Sequence, residues 1–223
     1  MQTIFAFIRL SHLFLYHAKV LTVDVQGNRL FHVDSSFNPC RASLSLLRAY
    51  ELPPPGNGGE TQFADSRSAY EDLPAELKEE LLSNDYVAQH SIWHSRKVAA
   101  PDHFKDLDVD SMKMSRHKLV QTHEPSGRTN LYISAHAHHL EDVPAEKSKE
   151  LLDKLLAHVS QPKYVVTVPW INASDLIIWD NTCVLHRACG GAFEGKYRRD
   201  LRRTTVHDQS STAWGLNEVK NFQ

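Results

Sequence analysis

Asp175-Leu176-Ile177-Ile178-Trp179-Asp180-Asn181-Thr182-Cys183-Val184-Leu185-His186-Arg187-Ala188 is the stretch on which the fold of this chain turns. A short apolar run meets a polar turn at Asp180-Asn181, and the chain returns through Val184 to a histidine. Runs this short, β-branched or aromatic and bounded by turn residues, predict strands and not helices. Leu176 to Trp179 is therefore expected as a buried strand and Thr182 to Ala188 as its return. Tyr164 to Val168 before them and Asp200 to Val206 after them have the same character.

Farther upstream, Leu30 to Asp34 alternates like a strand, and Ser43 to Glu51 reads as another, stopped by Pro53-Pro54-Pro55. Gly56-Asn57-Gly58-Gly59 predicts a mobile turn. Ser66 to Asn84 reads as helix in two pieces, Pro74 starting the second, with Leu77, Leu81 and Leu82 on one face. The strongest helix runs from Pro144 to Val159, where Leu151, Leu152, Leu155, Leu156 and Val159 form one stripe. Short strands with helices before and between them predict a mainly β domain with helical insertions, not a doubly wound parallel sheet. No glycine-rich phosphate loop is present.

A chain of 223 residues suits one domain with a full core. Its 41% hydrophobic and 23% charged residues are those of a soluble globular protein. A net charge of -2 gives no field favouring nucleic acid or an anionic membrane, so neither is expected as a partner. Cys40, Cys183 and Cys189 are odd in number and lack paired short spacing. They argue against a disulfide framework or a cysteine-rich zinc site, and for a reducing, cytoplasmic setting. Ile4 to Leu21 is apolar, but Arg9, His12, His17 and Lys19 make it too polar to span a membrane. No small-residue cleavage site follows it, as a secretory signal would require.

The chemistry sits in two places. In His32-Val33-Asp34, strand geometry turns residues i and i+2 to one face, so an imidazole and a carboxylate converge. A third ligand from elsewhere would complete a two-His-one-carboxylate triad, which leaves three metal positions open. Alone, the tripeptide is more often a hydrogen-bonded His–Asp pair at a strand end. In Arg198-Arg199-Asp200-Leu201-Arg202-Arg203, a strand would put Arg199, Leu201 and Arg203 on one face, the two arginines ~13 Å apart. Inward arginines call for carboxylate-like anions; a solvated basic strand is the plainer alternative.

Taken together, His32-x-Asp34, Gly58-Gly59-Glu60-Thr61, Trp179-Asp180-Asn181, His186 and the arginine-rich strand resemble the TauD/TfdA family, over about residues 28–208. Phe31-His32-Val33-Asp34-Ser35-Ser36-Phe37 and Gln161-Pro162-Lys163-Tyr164 look closer to its 2,4-dichlorophenoxyacetate branch than to taurine dioxygenase. The resemblance implies a double-stranded β-helix, a cupin-like jelly-roll, over residues 28–208, with a divergent leader at 1–27 and a tail at 209–223. It implies Fe(II), 2-oxoglutarate and O2 as cofactor and co-substrates, with His32, Asp34 and His186 as catalytic iron ligands. Thr61 would hydrogen-bond the 2-oxoglutarate and Arg199 would pair with its distal carboxylate. Arg203 would bind the anionic group of a small organic acid, and His136 is expected to line the substrate pocket. Arg199 and Arg203 stand two residues farther from His186 than in taurine dioxygenase. An insertion at Gly190-Gly191 accounts for that and leaves Arg198 or Arg202 as alternates. The family often dimerises, so a homodimer is an assembly it allows.

Family members carry several dozen more residues before the His-x-Asp, so the chain is expected to be shortened and its sheet or pocket open at the N-terminal edge. An oxygenase is the leading reading; a catalytically silent, ligand-binding or dimerising member is the alternative. A cupin-like metal hydrolase or isomerase would have no use for paired arginines. His136, His138 and His139 could chelate if they alternated on a strand, but packing is the stronger expectation. His90 and His94 have a helix-face spacing that suits packing or substrate contact. Cys183 and Cys189 are expected to be packing residues, since soft thiolates would spoil an oxygen-activating centre.

Overall fold

A computed structural model describes residues 27–219. The leader expected before Gly27, with the Ile4–Leu21 stretch, lies outside the described residues. From Leu30 to Val33, Phe31 and Val33 are sunk in the core, which turns His32 and Asp34 together to the opposite side. The expected strand here is a single bridge, His32 opposite His186, because the chain turns at once after Asp34. Ser35 makes that turn at φ 61, a left-handed conformation uncommon outside glycine.

Strand β1 (Ala42–Glu51) is followed by β2 (Thr61–Asp65), α1 (Ser66–Glu71) and α2 (Ala75–Asn84). Asp65 caps α1 by accepting from the Arg67 amide at 2.9 Å. Leu77 and Leu81 face the core as expected, whereas Leu82 is 59% exposed. A group of short elements follows: β3 (Val87–His90), α3 (Ile92–Ala99), β4 (Ser115–Lys118), β5 (Val120–His123), β6 (Arg128–Leu131) and β7 (Ala137–Leu140). Their four-residue strands are too short to show a period in sequence. His90 ends β3 and His94 lies in α3, beyond the capping Ser91, so the two do not share a helix face. Helix α4 (Ala145–Val159) buries Leu151, Leu152, Leu155 and Val159, and its His158 Nε2 bonds the Ala69 carbonyl at 2.8 Å.

The last strands are β8 (Val165–Val168), β9 (Leu176–Asp180), β10 (Val184–Ala188) and β11 (Asp200–His207). Two three-stranded antiparallel sheets result, ordered β11-β1-β9 and β10-β2-β8, so successive strands from β8 to β11 alternate between them. The sheets meet through Trp179 of β9, whose ring lies 5.5 Å from Phe63 of β2 and 4.6 Å from His186 of β10. The fold is mainly β with helices. β9 is not buried throughout: Trp179 points inward, but Leu176 and Ile178 are more than half exposed. Only alternate residues of a strand can face one core. After β11 the chain remains docked, with Ala213 buried and its carbonyl accepting from the Arg41 amide at 3.0 Å.

Leu155 is fully buried. Leu155→Ala should cost about 2–5 kcal/mol in a urea titration, while Leu82→Ala should stay within about 0.5 kcal/mol. Burial also pushes His94 and His117 down to about 4 from an ordinary 6.5, and His90 well below it. The unfolded chain then binds these protons first as pH falls, so their contribution is intact above 6.5 and is lost toward 4. The urea midpoint should drop steeply between neutral pH and about pH 5, and His117→Asn should flatten that slope.

Candidate metal centre

His32 and His186 exchange main-chain hydrogen bonds of 3.0 and 2.8 Å, which sets the two imidazoles side by side with centroids 4.3 Å apart. Asp34 joins them: one donor atom from each of the three residues lies within 4.8 Å of the others, and all three are buried. The Nδ1 of His32 lies 2.7 Å from the Leu30 carbonyl. A carbonyl only accepts, so Nδ1 carries the proton and Nε2 is left with a lone pair for a metal. Burial pushes His32 below the ordinary imidazole value, against the pull of Asp34, and holds His186 well below it. Both rings are thus neutral near pH 7, the form that ligates.

Asp34 is held from three sides. Ser45 of β1 donates to Oδ2 at 2.6 Å, Arg203 of β11 donates to Oδ1 at 2.6 Å, and the Asp34 amide donates to the Asn181 side-chain oxygen at 2.9 Å. Asn181 also accepts from the Trp179 indole at 3.0 Å and donates to the Ser43 carbonyl and Ser45 hydroxyl. Its amide is the strut between the ligand loop, β1 and β9. Sequence reading noted Trp179-Asp180-Asn181 without assigning Asn181 a role, and Ser45, a serine among leucines, gave no signal.

The arginines separate. Arg198 is exposed beside Glu51, and Arg202 is exposed over the Tyr50 ring beside Asp200. Arg199 turns inward, donates to the Gly59 carbonyl at 2.7 Å, and leaves its buried Nε without a partner. It forms no ion pair among the described residues, and burial pushes its guanidinium down. Gly59, at φ 92, makes room: a Cβ there would come within 3.0 Å of the Arg199 Nε. Thr61 is buried two residues on and accepts from the Trp170 indole at 3.1 Å, so its hydroxyl proton is free to be donated. Arg203, 46% exposed, lies against Asp34. The sequence placed its role at a substrate anion and did not anticipate this contact.

His136 sits in the turn before β7, its ring edge-on to His32 at 5.5 Å and to Phe37 at 5.0 Å. Ser95 accepts or donates at its Nδ1 at 2.8 Å. His138 and His139 belong elsewhere, bonded to each other through Nδ1 atoms 2.8 Å apart. The three do not form one chelating row, because His136 lies off the strand. The arrangement as a whole offers two neutral imidazoles and a carboxylate on one side of a point. That donor set fits a divalent ion of the iron type with positions left open.

Residues 16–205 match the family model described as taurine catabolism dioxygenase TauD, TfdA family. An alpha-ketoglutarate-dependent 2,4-dichlorophenoxyacetate dioxygenase of Burkholderia sp. (strain RASC) is 42% identical over 180 residues, covering 81% of this chain and 58% of the relative. A (S)-phenoxypropionate/alpha-ketoglutarate-dioxygenase of Sphingobium herbicidovorans is 31% identical, over 74% of this chain and 58% of the relative. The chain thus spans about three fifths of the length of the curated relatives it matches. The crystal structure of AAD-2 with Mn(II) and N-oxalylglycine superposes with a TM-score of 0.75 at 36% identity, covering 84% of this chain and 72% of that one. Among the described residues no helix is long and apolar enough to cross a membrane. With the family model spanning most of its length and the triad assembled, the chain belongs to the TauD/TfdA dioxygenase family.

Proposed function

We propose that the protein is an Fe(II)- and 2-oxoglutarate-dependent oxygenase that oxidises a small organic acid. The observation that carries this is Arg199, a half-buried guanidinium whose buried Nε has no partner and which forms no ion pair among the described residues. An unpaired buried charge is costly, so the site is built for an anion that arrives with a ligand. The distal carboxylate of 2-oxoglutarate fits, and Thr61 has a proton to donate to the same co-substrate. N-oxalylglycine, held by AAD-2, differs from 2-oxoglutarate by an NH in place of a methylene, which supports the choice.

His32, Asp34 and His186 would hold the iron. When bound, iron and 2-oxoglutarate supply the oxidation, with the 2-oxo acid leaving as succinate and carbon dioxide. The protein's own part is to hold His32 in one tautomer, keep both imidazoles neutral, and fix the Asp34 carboxylate through Ser45, Arg203 and Asn181. Arg203 reaches Asp34 from the solvent side, so an entering substrate acid would meet its guanidinium first. His136 packs edge-on against His32 and Phe37, beside the metal centre, where it could meet a substrate. The relatives named for phenoxy acids support an organic acid as substrate. The alternation of β8 to β11 between two facing sheets supports a jelly-roll core. A catalytically silent, ligand-binding member is the second reading, favoured by the Arg203–Asp34 ion pair that already occupies the metal-facing oxygen.

Anaerobic Fe(II) and 2-oxoglutarate should give the visible charge-transfer band of their chelate, absent in His186→Ala. A folded, iron-loaded chain with no band would defeat the proposal; a band without succinate formation across an acid panel would favour the silent reading. Arg199→Gln should weaken 2-oxoglutarate, titrated by that band, by roughly 10–100-fold. Asn181→Ala should lower divalent metal affinity by about 10–100-fold in calorimetry, because the Asn181 amide holds the Asp34 backbone and so orients its carboxylate.

A further inference from the structure

A second cluster of donors lies outside this centre, where the turn between β9 and β10 meets the hairpin between β5 and β6. His123, Asp180 and Cys183 each bring one donor atom within 4.8 Å of the other two. His123 and Cys183 are buried, and Asp180 is 29% exposed. The cluster borders a cavity of about 320 Å³ lined in part by His123, Asp180 and Thr182, which gives an ion a way in. We propose that His123 Nε2, Asp180 Oδ2 and Cys183 Sγ form a second metal site, selective for zinc-like divalent ions and distinct from the His32, Asp34 and His186 centre.

Each ligand is already braced for that role. The His123 Nδ1 lies 2.7 Å from the Ser126 hydroxyl, the outer partner a ligating imidazole needs, while its Nε2 lies 3.0 Å from Asp180 Oδ2. The other Asp180 oxygen accepts from the Thr182 amide at 2.8 Å and hydroxyl at 2.6 Å, which fixes the carboxylate and leaves Oδ2 for the ion. The neighbouring cations are committed elsewhere: Arg67 to Asp65, Arg128 to Glu71 and Arg41 to Asp208. A tetrahedral ion with bonds of ~2.0–2.3 Å spaces its ligands roughly 3.3–3.7 Å apart, so His123 and Asp180 need part by only about half an ångström. A nitrogen, an oxygen and a thiolate, with a fourth position open to the cavity, suit zinc or cobalt(II) and not magnesium or calcium.

Burial, with Asp180 and Asp65 adding, pushes the Cys183 thiol up to about 12, so it is protonated in the metal-free protein. Binding therefore forms the metal–sulfur bond as the S–H bond breaks, and the thiol proton leaves to solvent. The His123 proton moves from Nε2 to Nδ1, where it is donated to Ser126. No electrons are transferred. The ion would pin the β9–β10 turn, which carries Asn181, to the β5–β6 hairpin.

The decisive probe is cobalt(II) added to metal-stripped, reduced protein without oxygen. A thiolate ligand gives a near-ultraviolet sulfur-to-cobalt charge-transfer band that the two-histidine, one-carboxylate centre cannot produce. The band should appear in the wild type, persist in His186→Ala, and vanish in Cys183→Ala and His123→Gln, with one proton released per zinc bound in His186→Ala, where the first centre is disabled. Absence of the band in folded wild type at saturating cobalt, or its survival in Cys183→Ala, would overturn the proposal. Should Cys183→Ala fail to fold, the wild-type band and its response to His123→Gln decide.

Discussion

The reciprocal main-chain bonds between His32 and His186 are the constraint on which the centre depends. The segment from Asn28 to Asp34 belongs to no extended strand, yet it is laced on both sides. Asn28 accepts from the Ala188 amide at 2.8 Å, and Phe31 accepts from the Ala135 amide at 2.9 Å. One short piece of chain thereby fixes His32 and Asp34 relative to His186 on β10 and to His136 in the turn before β7. Phe31 and Val33, sunk in the core, supply the apolar anchor that keeps this piece from rotating.

Electrostatics inside the centre are divided between satisfied and unsatisfied groups. Asp34 has both oxygens and its amide engaged, so its carboxylate is oriented before an ion arrives, and at Oδ1 that ion would share or displace Arg203. The imidazoles are kept neutral by burial. Arg199 is the opposite case, a partly desolvated cation that forms no ion pair among the described residues and whose buried Nε has no partner. Such an imbalance is destabilising in the free protein, and under the proposed function a dicarboxylate would relieve it.

The β9–β10 turn serves two neighbourhoods at once. Asp180 turns to His123, while Asn181, the next residue, turns to Asp34. The two candidate metal sites therefore share a turn but not a ligand, and their donor sets differ in the presence of sulfur.

Local pattern alone determined much of this. The apolar stripe of α4 needs only a 3.6-residue period. The proline-delimited start of α2 and the short terminal strands likewise follow from neighbouring residues, and the convergence of His32 with Asp34 follows from the two-residue repeat of extended chain. The order of motifs from His32 to Arg203 carried the family. The tertiary structure alone decided which arginines turn inward, because Arg198, Arg199, Arg202 and Arg203 look alike in sequence and differ only in what surrounds them. It also decided that Leu82 is exposed, that β3 to β7 form where four residues show no period, and that Asp34 is braced by Ser45 of the next strand and by Asn181, more than a hundred residues along the chain. Periodicity reports which face of an element is apolar; contacts between distant segments are set by how those faces pack, and no local pattern encodes them.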